Sequence, residues 1–324
     1  FLDANPDTPP DQKWKAVASA GPKASLVPFV SADGYRWKRL RDEPIITKGA
    51  FDSQNLAYWN TAIGKYVEFH RGFRDGVRDI MTSTSEDFLN WTEPEWLDYG
   101  NARREHLYTN AITTYFRAPH IYLGFPCRFV PSRKKVPSHK EKGMNDGLFM
   151  SSRDGRHFER WGKAFLRPGP DDLVWTDRCN YASWGLVQTG DTELSLYYSE
   201  HYRYPTARLR RSTIRIDGFV SIGADERGGE VLTRPLTFTG SRLAVNYSTS
   251  AAGSIRFELC DADGVALKGF SLGESEWLFG NEIEHTVHWG ENSDVGRLAG
   301  QPVRLRIWLR DADLYSFQFI DIPN

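Results

Sequence analysis

Short runs along this chain alternate apolar and polar residues with a period of two, and helical periodicity is almost absent. The segments 13–18, 65–69, 120–125 and 193–198 each read as a strand, and clusters of Gly, Pro, Asn and Asp separate them. Aromatic-rich runs of this kind lead three times into a Ser-x-Asp-x-x-x-Trp/Phe box: Ser31/Asp33/Trp37, Ser85/Asp87/Trp91 and Ser152/Asp154/Phe158. Ser and Asp at this spacing hydrogen-bond the amides of a tight turn, and Gly34 and Gly155 permit positive φ there. The aromatic residue that follows can pack between neighbouring units. The boxes are therefore structural, and the recurring strand clusters mark a period of roughly 50 residues, the signature of propeller blades that bury their faces against neighbours.

Four blade-like units follow from this rhythm, over about 1–50, 51–103, 104–172 and 173–222. Beyond Gly223 the pattern changes to a charged turn at 224–229 and short strands at 243–247, 254–259, 284–289, 303–309 and 315–319, which read as a β-sandwich. The expected fold is all-β, with a β-propeller over 1–222 and a β-sandwich over 223–324. The chain opens almost directly on an innermost strand, so an upstream blade is expected to be missing; closure by four blades is the alternative. Asp261-Ala262-Asp263-Gly264 and Asp311-Ala312-Asp313 are explained by turn chemistry rather than calcium. The basic insertion over 131–143 reads as a solvated loop, with a contact to an anionic sugar or an adjacent subunit as the alternative.

Charge narrows the partners. Lys+Arg 41 against Asp+Glu 42 leaves a net charge of −1, which argues against nucleic acid or a membrane surface as the partner of the whole protein. No apolar run reaches the roughly 18 residues of a membrane helix, and the first residues are not a signal peptide, so the chain reads as a mature or trimmed product. Cys127, Cys179 and Cys260 are too few and too scattered for a disulfide framework or a zinc site, and buried thiols are expected. His70, His106, His120 and His201 lack any paired ligand spacing. No metal and no cofactor are expected.

Position within the repeat points to a site. Innermost propeller strands line a central funnel, so polar residues at the heads of successive units converge on one axis. Asp3, Asp52 and Glu105 head three successive units at intervals of about 50 residues, and Arg178 and Asn180 head the fourth. Three carboxylates are thereby expected in one pocket. Glycoside cleavage needs one carboxyl as acid and one as base or nucleophile, and a third can raise the acid's pKa by repulsion.

Units such as Phe51-Asp52-Ser53-Gln54-Asn55 with Gly64-Lys65-Tyr66, and Tyr108-Thr109-Asn110 with Tyr122-Leu123-Gly124-Phe125-Pro126, resemble those of family-32-like bacterial proteins. The blade rhythm with its following all-β domain is similar to the five-bladed propeller glycosidases of glycoside hydrolase families 32 and 43. The Asn-Asp-Pro-Asn-Gly, Arg-Asp-Pro and Glu-Cys-Pro signatures of fructan-cleaving members are absent. The resemblance implies a glycosidase acting on an oligo- or polysaccharide, from a secreted or periplasmic setting. It also implies Asp3 as nucleophile or base, Asp52 as the carboxylate that orients substrate and tunes pKa, and Glu105 as general acid.

Around these positions, Tyr58, Trp59, Tyr108, Trp175, Tyr181 and Trp184 offer flat rings for stacking on a sugar or packing between blades. Arg71, Arg104, Arg128 and Arg178 can grip a carboxylate or sulfate, and Asn55, Asn110 and Asn180 complete the expected substrate contacts. A non-catalytic carbohydrate-binding propeller and a sialidase-like enzyme remain as alternatives.

Overall fold

The computed structural model describes residues 1–20 and 24–321, and is built of strands with three short 3-10 turns among them. It divides into two compact units, one of 1–187 with 195–212, the other of 188–194 with the chain from Thr213 onward.

The first unit contains a succession of antiparallel sheets in chain order. Strands β1 (Trp14–Ser19), β2 (Leu26–Ser31) and β3 (Lys38–Arg39) form one, and β4 (Leu56–Asn60), β5 (Lys65–Arg74), β6 (Val77–Ser85) and β7 (Glu95–Trp96) form a second meander. The third comprises β8 (His106–Leu107), β9 (Thr113–Tyr115), β10 (Ala118–Gly124), β11 (Cys127–Val130), β12 (Met144–Ser152) and β13 (Phe158–Leu166), in the order β8-β11-β12-β10-β9 with β13 on β12. A fourth sheet comprises β14 (Val187–Gly190), β15 (Glu193–Glu200) and β16 (Arg208–Arg215), of which Val187 and the residues over 195–212 fall in the first unit and the rest in the second. The alternating runs at 13–18, 65–69, 120–125 and 193–198 fall on β1, β5, β10 and β15. Val67, Phe69 and Ile80 of the second sheet pack with Leu107, Ile112, Tyr122, Leu148, Met150 and Phe158 of the third, a core that holds the two sheets face to face.

The three boxes build the same turn. Ser31 Oγ accepts from the Asp33 and Gly34 amides at 3.2 and 2.9 Å, and Asp33 Oδ1 accepts from Tyr35 and Arg36, both at 2.8 Å. Ser85/Asp87 and Ser152/Asp154 repeat these bonds to Asp87, Leu89 and Asn90, and to Asp154, Gly155, Arg156 and His157. Gly34 and Gly155 have φ of 78°, and a Cβ there would lie 3.2 Å from Trp14 and 3.0 Å from Tyr122. Phe88 takes the equivalent place with φ of 68°. Phe158 is buried as an inter-sheet plug, whereas the indoles of Trp37 and Trp91 turn back to donate to Gly34 and Phe88 carbonyls, each at 3.0 Å.

In the second unit β17 (Ile222–Ala224) and β18 (Gly229–Leu232) pair with β21 (Arg304–Ile320), which pairs with β19 (Arg242–Cys260), and β19 with β20 (Asn281–Thr286). The runs expected as separate strands at 243–247 and 254–259 are one continuous strand, as are those at 303–309 and 315–319. The register shifts between Thr249 and Ser254, opposite Asp311 with its φ of 45°. There Gly253 passes so close to Asp311 that a Cβ would lie 2.2 Å from its carbonyl oxygen. Leu243, Val245 and Tyr247 before the shift and Ile255, Phe257 and Leu259 after it enter one core with Leu305, Ile307 and Leu309. Asp261 Oδ1 accepts from the Asp263 and Val265 amides, at 3.0 and 2.9 Å, as turn chemistry requires.

Cys127, Cys179 and Cys260 are free and buried, and burial pushes the Cys127 and Cys260 thiols up.

Candidate functional site

Two groups of chemically active side chains lie on either side of the β5–β6 hairpin. Phe73 faces Arg78 and Arg71 faces Ile80 across the ladder, so alternation puts Arg71, Phe73 and Arg78 on one face and Asp79 on the other.

On the first face, the Arg71 and Arg78 guanidinium groups lie 4.9 and 5.2 Å from the centroid of the Tyr108 ring, which stands 5.4 Å from Tyr181. Both arginines also lie 5.4 Å from Phe73. Arg178 sits 5.4 Å over Tyr202 and donates to its hydroxyl at 3.4 Å. Asp52 pairs with Arg71, and its loop is pinned by Ser53 Oγ donating to the Tyr108 carbonyl at 2.8 Å. The heads of the second, third and fourth units thus meet around Tyr108. Asp52, Phe73 and Tyr202 open this cluster to solvent, while Arg71 is only 3% exposed. Arg71 Nε and Nη1, Arg78 Nε and the Tyr181 hydroxyl are buried without a hydrogen-bond partner in the protein. His106, whose Nδ1 accepts from the Arg78 amide at 3.2 Å, is held below the usual imidazole range by burial and by the Arg78 charge.

On the other face lies a cleft of about 480 Å³, lined by Arg74, Asp79, Trp96, Tyr99, Glu105 and Arg160 among others. Asp79 is 3% exposed, and burial raises its carboxyl above the usual range despite donors from the Ile80 amide at 2.9 Å and the Tyr99 hydroxyl at 3.2 Å. Glu105 accepts from Arg160 at 2.8 Å and Arg128 at 3.2 Å, and Arg128 also holds Asp146. Arg160 in turn lies 5.3 Å from the Tyr99 centroid, so Tyr99 and Arg160 link the two carboxyls.

The three carboxylates expected together are apart: Glu105 lines the cleft, and neither Asp52 nor Asp3 does. The Asp3 carboxylate is sealed against Lys15 and accepts from Thr8 Oγ1 and from Tyr66 Oη at 2.7 Å. Burial opposes its ionisation, but these donors together outweigh burial and hold the carboxyl below the usual range. Tyr66 and Arg71 are five residues apart on β5, so Asp3 and Asp52 are served by opposite faces of that strand.

Other expected contacts are spent inside the protein. Asn110 and Asn180, each 1% exposed, donate to the backbone carbonyls of Gln54 and Phe69, and of Asn145 and Val174. Asn55 donates to the Phe51 and Ser53 carbonyls, leaving its Oδ1 buried without a partner. Trp59 packs edge-on against Tyr66 at 4.8 Å, and Trp184 lies 5.7 Å from Tyr58 and donates to the Ile112 carbonyl. Arg104 pairs with Asp75 at the cleft rim. On the basic insertion, His139 is buried between Tyr204 and Asp177, at 2.9 and 2.8 Å, so that part of the loop is tied down rather than solvated.

Sequence reasoning passed over Arg78, Asp79, Tyr99 and Arg160. The available signal was Arg74-Asp75-Gly76-Val77-Arg78-Asp79, a Gly-bearing hairpin turn with an adjacent charge pair on each side, whose members strand alternation sends to opposite faces.

No protein-family model matches the chain, and no curated protein does. Among solved structures it is similar to an N-acetylgalactosamine deacetylase from F. plautii, at 14% identity and a TM-score of 0.43, over 64% of this chain and 69% of that one. A β-1,2-mannobiose phosphorylase from Listeria innocua matches at 15% identity and 0.40, over 63% and 58%. The GH32 β-fructofuranosidase of Bombyx mori matches at 10% identity and 0.36, over 96% and 77%. The chain thus spans less than two thirds of the phosphorylase and about two thirds of the deacetylase.

Proposed function

We propose that this protein is a glycoside hydrolase acting on an oligo- or polysaccharide, with Asp79 as general acid and Glu105 as the carboxylate that activates water or attacks the sugar. One observation carries this reading: a single cleft holds a buried carboxyl of raised pKa and a second carboxyl paired with two guanidinium groups, beside Trp96 and Tyr99. A carboxyl whose pKa burial raises holds its proton to higher pH and can give it to the leaving oxygen. A second carboxylate beside it can support the positive charge growing at the anomeric carbon or attack that carbon. Aromatic rings supply faces for the sugar. Glu105 stays catalytic but moves from the general acid implied by the family resemblance to base or nucleophile, Asp79 takes the acid's role, Asp3 becomes structural, and Asp52 becomes the counter-ion of Arg71.

The succession of boxed antiparallel sheets supports reading the first unit as propeller blades, and the bent strands β19 and β21 around one core support reading the second as a sandwich.

The test is hydrolysis of aryl glycosides and defined neutral and acidic polysaccharides by the parent, Asp79→Asn and Glu105→Gln. Each variant is expected to lose about 10²–10⁴-fold in kcat/KM, with thermal unfolding nearly unchanged for Asp79→Asn. Cleavage that survives both substitutions would move the reaction centre elsewhere. Binding of a polysaccharide by the parent and both variants, with no cleavage by any of them, would make the protein a binding module.

A further inference from the structure

We infer that Arg71, Arg78 and Arg178 form a subsite for an acidic group, a carboxylate or sulfate, on the glycan; the inference rests on the carbohydrate reading above but concerns the opposite face of the β5–β6 hairpin. The Arg71 and Arg78 guanidinium groups lie over Tyr108, Arg178 over Tyr202 interacts electrostatically with Tyr108 and Tyr181, and Asp52 pairs with Arg71 from the loop ahead of β4. Asp177 lies 3.9 Å from Arg178, but it is already gripped by Arg203 at 2.9 Å and by His139 at 2.8 Å. The cluster therefore carries excess positive charge.

Burial turns that excess into a demand for a ligand. Arg71 is only 3% exposed, yet its Nε and Nη1 find no acceptor, and the Arg78 Nε is in the same state. A guanidinium satisfied by planar acceptors makes paired, parallel hydrogen bonds, and a desolvated donor left without one is costly. The rings of Tyr108 and Phe73 stabilise the cations through their faces, but a ring face does not satisfy an in-plane N–H. An oxyanion would.

Access and exchange are both built in. The Asp52 side chain is 71% exposed and pairs with Arg71 through one oxygen, so an incoming carboxylate or sulfate can replace it like for like. Phe73, 5.4 Å from Arg71 and from Arg78, and Tyr202, 5.4 Å from Arg178, are both about half exposed, so the uncharged part of the sugar can stack on either ring while its acidic group reaches the arginines. The depressed His106 beside Arg78 is what a positive, partly desolvated surrounding produces.

The experiment is calorimetric titration of the full chain with a glucuronate-bearing oligosaccharide, a sulfated oligosaccharide, a neutral oligosaccharide of equal length and inorganic sulfate. The same titrations are made on Arg78→Gln, Arg178→Gln and Asp52→Asn. At least one acidic oligosaccharide is expected to bind tenfold or more tightly than the neutral one. Arg78→Gln and Arg178→Gln should each erase most of that preference while leaving neutral affinity and thermal unfolding in place. Asp52→Asn, which removes the competing carboxylate, should tighten the acidic ligand. Whether the uronate or the sulfate is preferred identifies the group. Equal affinity for acidic and neutral glycans, or a preference untouched by both arginine substitutions, overturns the inference. If neutral glycans are cleaved without any acidic preference, only the anion subsite falls. If no glycan binds or is cleaved, the carbohydrate reading falls, while inorganic sulfate binding lost in both arginine variants would still uphold the anion site.

Discussion

Replacing Asp3 by asparagine separates a structural from a catalytic carboxylate. The Asp3 and Lys15 side chains are 0% and 4% exposed, and they face one another with Thr8 and Tyr66 completing the contacts. The carboxamide of the Asp3→Asn variant would keep an acceptor for Tyr66 but leave the Lys15 ammonium buried without a counter-charge. Removing one member of a buried pair costs about 3–5 kcal/mol, because the survivor's desolvation is no longer offset. In a unit of this size each kcal/mol moves the melting temperature by about 2–4 °C, so a fall of about 6–20 °C is expected. Lys15→Met should cost a similar amount. The double variant Asp3→Asn/Lys15→Met should recover about 2 kcal/mol or more relative to the sum of the single losses, since no charge is then left buried. Thermal unfolding followed by tryptophan fluorescence provides the stabilities, and hydrolysis is measured below the melting range. The pH dependence adds a second constraint. The folded Asp3 pKa lies below the unfolded one, so the pair's stabilisation is fully present above roughly pH 4 and disappears as pH falls through the lowered folded value. Loss of hydrolysis by Asp3→Asn with an unchanged melting temperature would refute the structural assignment and return Asp3 to the reaction.

The boxed turns should show the same sign. Hydrogen bonds from the Arg36 and Tyr35 amides lower the Asp33 carboxyl, and at Asp87 and Asp154 burial pushes the other way but is outweighed by amide and side-chain donors. Acidification below roughly pH 4 should therefore lower the first unit's melting temperature, and Asp154→Ala should flatten that dependence while costing about 1–2 kcal/mol at pH 7. In the second unit, Gly253→Ala would drive a methyl against the Asp311 carbonyl oxygen. A loss of about 1–3 kcal/mol is expected in urea unfolding, and an unchanged midpoint would mean that the β19 bulge moves freely. Phe257→Ala, at a fully buried core position, should cost about 3–5 kcal/mol in the same assay.

The structure that the residues encode without help from distant elements is local. The Ser-x-Asp turns were legible because donor, acceptor and permissive glycine lie within a few residues of one another. The strands β1, β5, β10 and β15 were legible because apolar and polar residues alternate along them in sequence, although β5 is buried on both faces. Of the unit heads expected to meet, Asp52 through Arg71 and Arg178 beside Tyr202 lie on the Tyr108 side of the hairpin, whereas Asp3 and Glu105 lie elsewhere. Folding settled everything else. Arg78 and Asp79 are neighbours in sequence, yet the pleat sends one to the arginine cluster and the other to the cleft, where Glu105 arrives from another sheet. Asp3, similar to Asp52 in its place within the repeat, met Lys15 and was sealed. Strands β19 and β21 run unbroken through segments that read as turns, because each is the other's partner along almost its whole length. Which carboxylate is buried, paired or free depends on charges brought close by folding, and the Coulomb and desolvation energies involved follow distance in space rather than along the chain.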